Sequence, residues 1–318
     1  MPEHLAPHGA EVERDKIGHP LTRPQLIATD LDGTIIPYSQ THTGFVSPRT
    51  LAAFHAAQEA GVGIAFVTGR PMRWMSALAP ILGPMGPAIV SNGAIIYNMN
   101  TDTVLEAHPM DQYLVTDVAN ELRGIYSGAI FGAETLTGLV MEPQFISSTA
   151  RAQANRQAHR GQSATEEPTD SVAVRSSRWI ETANITYELA QHPEVVKLMV
   201  KVNGHDPDDL LLNVRAHFGK LVQVTHSAPG VSMLEISRGD VHKAATLADY
   251  AESLGVHAND VVAFGDQRND EQMLRWAGTG YALESGHPGL LEQADVIAPA
   301  CDDDGVAEMI EHLMTLPE

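Results

Sequence analysis

The chain has 318 residues, 43% of them hydrophobic, and a formal net charge of -20 from 20 Lys and Arg against 40 Asp and Glu. That length and apolar content suffice for a substantial core and suggest two domains. The acidic balance argues against a surface that tracks a phosphate backbone, so no nucleic-acid partner is expected, and the lone Cys301 excludes an intrachain disulfide.

Residues 1–25 mix His, Pro, Glu and Arg without an apolar core and read as a disordered extension. No apolar run reaches the length of a secretory signal or a membrane span, so we expect a cytoplasmic protein with no membrane partner. Leu26-Ile27-Ala28 then reads as a buried strand ending in Thr29-Asp30-Leu31-Asp32-Gly33-Thr34. Side chains alternate along a strand, so Asp30 and Asp32 are expected on one side with Leu31 towards the core. Gly33 permits a tight turn that brings backbone amides towards an anion. Such a pair of acids suits a divalent cation and attack on an electrophile; an acidic surface turn is the plain alternative.

Ile35 to Phe45 reads as a loop or short flap beside that turn. Ser47-Pro48 opens a helix with Leu51, Phe54 and Ala57 inward and Gly61 as its stop. Val62–Val67 is nearly continuous apolar sequence, as expected for a parallel strand covered on both faces, and it ends in Thr68-Gly69-Arg70. A helix through Met72, Trp74 and Leu78 follows. Ala88-Ile89-Val90 and Ile95-Ile96-Tyr97 are strands joined by a tight turn at Asn92-Gly93. Between residues 98 and 237 the texture changes to strand-like runs with helices over 112–126 and 207–218, which suggests an inserted α+β module. Residues 149–176 are polar and read as a long loop or a surface helix.

The α/β texture returns at Asp240. Ala244, Leu247, Ala248, Ala251 and Leu254 follow helical spacing, with Gly255 as the C-cap and Lys243 in the first turn. A cation there opposes the helix dipole, which a bound anion would offset; an ordinary exposed lysine is the alternative. Val261–Phe264 is a strand that runs into Gly265-Asp266-Gln267-Arg268-Asn269-Asp270, where the acids could serve only as helix caps. Strands over 280–283 and 295–298 and a helix over 305–313 close the chain.

The ordered motifs Asp30-Leu31-Asp32-Gly33-Thr34, Thr68-Gly69-Arg70, Lys243 and Gly265–Asp270 resemble those of the haloacid dehalogenase superfamily of phosphohydrolases. The insertion after the second motif, preceded by Ser91-Asn92-Gly93-Ala94, resembles the Cof-type branch. The resemblance implies a Rossmann-like parallel-sheet α/β core, residues 26–97 and 238–318, carrying an α+β cap, residues 98–237. It implies Asp30 as nucleophile and Asp32 as acid and base, with Thr68, Lys243 and Leu31 binding phosphate. Mg²⁺ would be held by Asp30, Asp32 through its backbone carbonyl, and Asp266, with Asp270 acting from behind or through water. Asn92, Arg70 and Asn269 are candidates for substrate contact, with turn and surface roles as the alternatives. Gln267-Arg268 departs from the smaller or acidic residues expected in many relatives and would put a cation at the pocket rim. The cap is longer than usual, mainly through residues 149–176.

The expected function is an Mg²⁺-dependent phosphatase for a small phosphorylated metabolite, a sugar phosphate or nucleotide-like compound, acting through an aspartyl-phosphate. The alternatives are a phosphomutase on the same scaffold and a catalytically silent phosphate-binding regulator. The compact fourth motif favours hydrolysis over mutase chemistry. Monomer and homodimer are both left open.

Overall fold

A computed structural model describes residues 13–145, 178–192, 194–225 and 232–318. These fall into two compact units: the chain up to Glu106 with Val241–Glu318, and a second unit within Ala107–Asp240. The expected loop or helix at 149–176 lies outside the described residues.

The first strands in chain order are β1 (Leu26–Thr29), β2 (Gly63–Val67), β3 (Ala88–Val90), β4 (Ile95–Asn98) and β5 (Thr103–Ala107). Next come β6 (Ile130–Thr135), β7 (Gly138–Met141), β8 (Arg178–Glu181), β9 (Val195–Lys201), β10 (Val222–Thr225) and β11 (Met233–Arg238). The last are β12 (Val261–Gly265), β13 (Thr279–Leu283) and β14 (Val296–Ala298). The helices that matter below are α1 (Pro48–Glu59), α2 (Gln112–Ile125), α3 (Pro207–Phe218), α4 (Lys243–Ser253), α5 (Glu271–Trp276) and α6 (Gly305–Leu313).

The first unit is built on an eight-stranded sheet in the order β14-β13-β12-β1-β2-β3-β4-β5. It is parallel from β14 to β3 and turns antiparallel at β3–β4. The expected parallel-sheet α/β core is therefore present. Its strands are apolar throughout because both faces are covered: on one side Leu26, Ala28, Ala65, Val67 and Ala263 pack with Ala244, Leu247 and Ala251 of α4 and Met273 and Leu274 of α5. Each large apolar side chain removed from water this way contributes roughly 1.5–3 kcal/mol.

Local signals place the elements. Ser47 caps α1 by accepting the Thr50 N–H at 3.0 Å, and Pro48 occupies the first turn. The buried face of α1 is Thr50, Ala53, Phe54 and Ala57, while Leu51, expected inward, is half-buried. The predicted helix through Met72, Trp74 and Leu78 is instead a 3₁₀ turn over Met72–Ala77 followed by a single α turn, and Trp74 is exposed. Pro71 opens that stretch and Pro80 interrupts its hydrogen bonding, so no long helix propagates.

The second unit is a six-stranded sheet, β10-β11-β9-β6-β7-β8, antiparallel except for the pairing of β7 with β8. Val115, Val118 and Leu122 of α2 and Leu210, Val214 and Phe218 of α3 share a core with Phe131, Leu198, Val200 and Ile236. Asp206 caps α3 and Asp111 caps α2, each accepting two backbone N–H groups.

Residues 13–25 correct the expectation of a disordered extension. Arg14 pairs with Asp295 and donates to the Gly278 carbonyl at 2.6 Å, His19 Nδ1 lies 3.0 Å from the Tyr281 hydroxyl, and the Arg23 N–H donates to the Pro317 carbonyl. This stretch lacks an apolar core of its own because polar side chains tie it to the first unit. Residues 1–12 lie outside the described residues.

Candidate active site

In the parallel register Thr29 stands level with Phe264 on one side and Phe66 on the other. Asp30, Asp266 and Thr68 consequently leave the sheet side by side at the carboxyl ends of β1, β12 and β2. This is where open α/β sheets collect ligands, because neighbouring chains diverge there and leave a crevice. The Asp30 N–H still donates to the Phe264 carbonyl at 3.0 Å, so the last sheet bond fixes the residue that carries the first acid.

Lys243, at the start of α4, reaches this end of the sheet. Its Nζ donates to Asp30 Oδ1 at 2.8 Å and to Asp270 Oδ1 at 2.6 Å, and its side chain is 1% exposed. It is not the exposed surface lysine of the alternative reading; two buried carboxylates offset its unfavourable place at a helix start. Burial works against its charge, but Asp270 and Asp30 outweigh burial and raise its pKa. Both oxygens of Asp270 are engaged by protein donors, since its Oδ2 accepts the N–H groups of Asp266 at 3.1 Å and Gln267 at 2.9 Å. The cap role offered as its alternative is thus real, and it comes in addition to the contact with Lys243.

One carboxylate oxygen from each of Asp30, Asp266 and Asp270 lies within 4.8 Å of the other two. Burial raises the pKa of Asp30 well above the usual carboxylate range; Lys243 opposes this, and Asp270 and Asp266 add to it. Asp266 is pushed up to about 6 by burial and by Asp270, against hydrogen bonds from Tyr38 and Gln267. Three buried acids facing one lysine leave negative charge in excess. The donor set is entirely carboxylate oxygen, which suits a hard divalent cation. The side chains gathered here include Asp270, which was expected further out, and not Asp32, which was expected to contribute only its backbone carbonyl.

Asp32 goes elsewhere. Its two oxygens accept from Arg70, from Nε at 2.6 Å and Nη2 at 2.5 Å, and Arg70 Nη2 also donates to the Thr41 carbonyl at 2.8 Å. Strand alternation does not carry Asp30 and Asp32 to a common partner, because β1 ends at Thr29 and the chain turns at Leu31, whose carbonyl accepts three N–H groups. The Leu31 side chain is fully buried, as expected. Thr68 accepts the Arg70 N–H on its hydroxyl oxygen at 3.0 Å, which leaves the hydroxyl proton to donate. Asn269 donates to Asn92 Oδ1 at 3.0 Å, and Asn92 sits in a left-handed turn with φ 59°. Beside them the Ser91 hydroxyl and Asn269 Oδ1 are buried without a hydrogen-bond partner.

Three contacts on Asp266 have no signal in the sequence. Tyr38 Oη donates to Asp266 Oδ2 at 2.7 Å, Gln267 Nε2 to the same oxygen at 3.0 Å, and Thr34 Oγ1 to Oδ1 at 3.2 Å. Gln267, noted in the sequence as a departure, therefore holds its neighbour's carboxylate. Gly33 makes this packing possible: its φ is +81°, and a Cβ there would stand 2.2 Å from Asp266 Oδ2 and 2.5 Å from the Tyr38 ring. Gly265 plays the same part behind the cluster, where a Cβ would stand 2.5 Å from that of Asp270.

Residues 27–310 match the family model described as haloacid dehalogenase-like hydrolase. The chain is 27% identical to the pyridoxal phosphate phosphatase YbhA of Escherichia coli, over 91% of this chain and 99% of that protein. It is 22% identical to the 5-amino-6-(5-phospho-D-ribitylamino)uracil phosphatase YitU of Bacillus subtilis, over 93% and 99% respectively. Among solved structures, a haloacid dehalogenase-like hydrolase from B. subtilis superposes with a TM-score of 0.71 at 24% identity, covering 91% of this chain and 99% of that one. No helix among the described residues is long and apolar enough to cross a membrane. With its four motifs gathered at one end of a parallel sheet, the chain belongs to the haloacid dehalogenase-like hydrolase family, as those motifs anticipated.

Proposed function

We propose that this protein is an Mg²⁺-dependent phosphatase that hydrolyses a small phosphorylated metabolite through an aspartyl-phosphate on Asp30. The observation that carries the reading is the buried Asp30–Lys243–Asp270 chain beside Asp266. One oxygen of the proposed nucleophile is tied to a lysine, and the surrounding acids would repel a phosphate unless a cation offset them. Asp30 and Asp266 would hold the metal, with the Asp32 carbonyl completing the protein's share and Asp270 behind them. When bound, Mg²⁺ supplies positive charge next to the phosphoryl oxygens.

The residues then divide the work. Lys243 and the Thr68 hydroxyl take phosphoryl oxygens, with the turn at Leu31 offering its backbone. Asp30 attacks phosphorus as Asp32 gives a proton to the leaving oxygen. Asp32 then takes a proton from water, the water oxygen bonds to phosphorus, and the bond to Asp30 breaks. Asn92 and Asn269 remain candidates for substrate contact, supported by the unpartnered Ser91 hydroxyl and Asn269 Oδ1 beside them. We assign substrate choice to the inserted segment 98–237. Exchanging it for a relative's should transfer the ranking of substrates, and an unchanged ranking would refute the assignment.

The deciding experiment is a panel of phosphate monoesters, including pyridoxal 5′-phosphate, sugar phosphates and nucleotides, with Mg²⁺ or EDTA. Free phosphate that requires Mg²⁺ is the expected result. An isomeric sugar phosphate in place of free phosphate would mean a mutase. Full activity in EDTA would sink the metal-dependent mechanism, and no turnover across the panel would favour the silent regulator.

A further inference from the structure

The guanidinium of Arg70 is almost wholly removed from solvent, with 6% of the side chain exposed, and its Nε and Nη2 donate to Asp32 and to the flap. Nε and Nη2 fork onto the two carboxylate oxygens, and Nη2 also meets the Thr41 carbonyl. Its backbone is held as firmly, with the N–H on the Thr68 hydroxyl at 3.0 Å and the carbonyl accepting the Ser91 N–H at 2.9 Å. A side chain fixed at both ends this way holds Nε and Nη2 in one place against Asp32 and the flap. We infer that Arg70 is a positioning residue: it holds the Asp32 carboxylate in the orientation the reaction uses and is not a substrate contact.

Arginine only donates, so its planar fork matches a carboxylate that offers two acceptor oxygens. The fork fixes the plane of the Asp32 carboxylate, and in the hydrolytic step that carboxylate must face the attacking water. In that step the water oxygen bonds to phosphorus, its proton passes to Asp32, and the bond from phosphorus to Asp30 breaks, with Asp30 leaving as a carboxylate. The Thr41 carbonyl fixes the fork's own position. The loop between β1 and α1 therefore helps to set the angle of the base without supplying a reacting group.

This inference rests on the phosphatase reading, and the test separates the two. With p-nitrophenyl phosphate, whose leaving group needs no proton, Arg70→Ala should release a burst of about one equivalent of nitrophenol and then turn over roughly 10- to 100-fold more slowly than wild type, part of what a positioned general base is worth. Phosphate should accumulate on Asp30, seen by rapid-quench peptide mass spectrometry, and KM should fall with kcat because hydrolysis has become limiting. Arg70→Lys, which keeps the charge but cannot fork, should show the same burst, and it carries the test if the alanine variant does not fold. Guanidinium ion should restore part of the turnover of Arg70→Ala. Adding Arg70→Ala to Asp32→Ala should cost nothing further, since both changes remove one function.

A rise in KM with unchanged kcat and no burst would overturn the inference and make Arg70 a substrate contact. Full additivity with Asp32→Ala would overturn it as well. A wild-type enzyme that transfers no phosphoryl group from any ester would instead overturn the phosphatase reading on which this one stands.

Discussion

In the eight-stranded sheet the buried acids Asp30, Asp266 and Asp270 lie at or past the ends of β1 and β12, whereas in the six-stranded sheet Glu134, Lys197 and Glu235 lie within β6, β9 and β11. The second arrangement follows from strand pairing: Glu134 stands opposite Lys197 in the β6–β9 register, and Lys197 Nζ meets Glu235 Oε1 at 3.1 Å from the other side. Opposite charges on adjacent strands are what a ladder favours. Nothing in the parallel ladder asks for the first arrangement. Three acids from two distant parts of the sequence are brought within 4.8 Å of one another, and a single lysine answers them. Burial of charge is common to both regions; crowding of like charge is not, and it is the crowding that points to a cation.

The largest effect that would sharpen this contrast is at Asp30. Asp30→Asn should end turnover on every ester, because an amide is a far weaker nucleophile. Its metal-free melting temperature should hold or rise, since one crowded charge has gone. A variant that keeps turnover would place the nucleophile elsewhere, and one that unfolds would make Asp30 a structural acid like those of the other sheet.

The matching change in the six-stranded sheet is Lys197→Met, which leaves Glu235 buried without this partner. Removing one member of a buried pair costs about 3–5 kcal/mol, and Lys197→Met with Glu235→Leu should recover much of it. Urea denaturation of the three proteins measures both quantities. If Lys197→Met keeps its stability and loses turnover, the charges of the second unit serve chemistry as well and the contrast fails.

A smaller effect follows from the raised pKa values. Asp266, at about 6 in the folded protein against 3.8 as its ordinary value, binds more protons folded than unfolded between those limits. Stability of the metal-free protein therefore falls as pH rises through that window. Asp30, raised in the same direction, extends the trend. Each pKa unit is about 1.4 kcal/mol, so Asp266 alone accounts for up to about 3 kcal/mol. Bound Mg²⁺ requires the ionised carboxylates, so the gain in melting temperature on adding Mg²⁺ should grow from pH 4 through pH 6 and go on growing until Asp30 is ionised as well. A gain independent of pH would mean that these acids do not hold the metal.

Much of this was legible in the sequence for a physical reason. Buried parallel strands are short apolar runs, and they end where polar residues begin, so Asp30, Thr68 and Asp266 announce three strand ends at once. The helices over Pro207–Phe218 and Gly305–Leu313 have the bounds their caps and spacing gave. The strand Ile130–Thr135 was missed because Gly132 and Glu134 interrupt its apolar pattern, and Glu134 is buried only through tertiary neighbours. Arg70 could be tied to Asp32 only once β1 and β2 were seen side by side. The contacts of Thr34, Tyr38 and Gln267 with Asp266 are likewise invisible to periodicity, since a single polar side chain in a loop has no pattern to break.

Tyr38 provides the finest test, because it is the one member of the acid cluster's surroundings that comes from the flap. Tyr38 Oη donates at 2.7 Å to the Asp266 oxygen that also accepts from Gln267, so two donors together set the tilt of this carboxylate. Burial and the Asp266 charge raise the pKa of the phenol, which keeps its proton available for that bond. Residues that orient a metal ligand are typically worth 10- to 100-fold in affinity. With Gln267 and Thr34 still in place, Tyr38→Phe should fall at the low end, about 10-fold weaker in Mg²⁺ binding by calorimetry, or about 1.4 kcal/mol. The ring stays, so the packing against Gly33 should be kept and the metal-free melting temperature should change little. Gln267→Ala should weaken Mg²⁺ by a similar factor, and the double variant by more than either, since both donors act on one oxygen. Unaltered affinity in Tyr38→Phe would show that the cluster is held rigidly by the sheet ends alone, and that the flap contributes nothing to the excess of negative charge it touches.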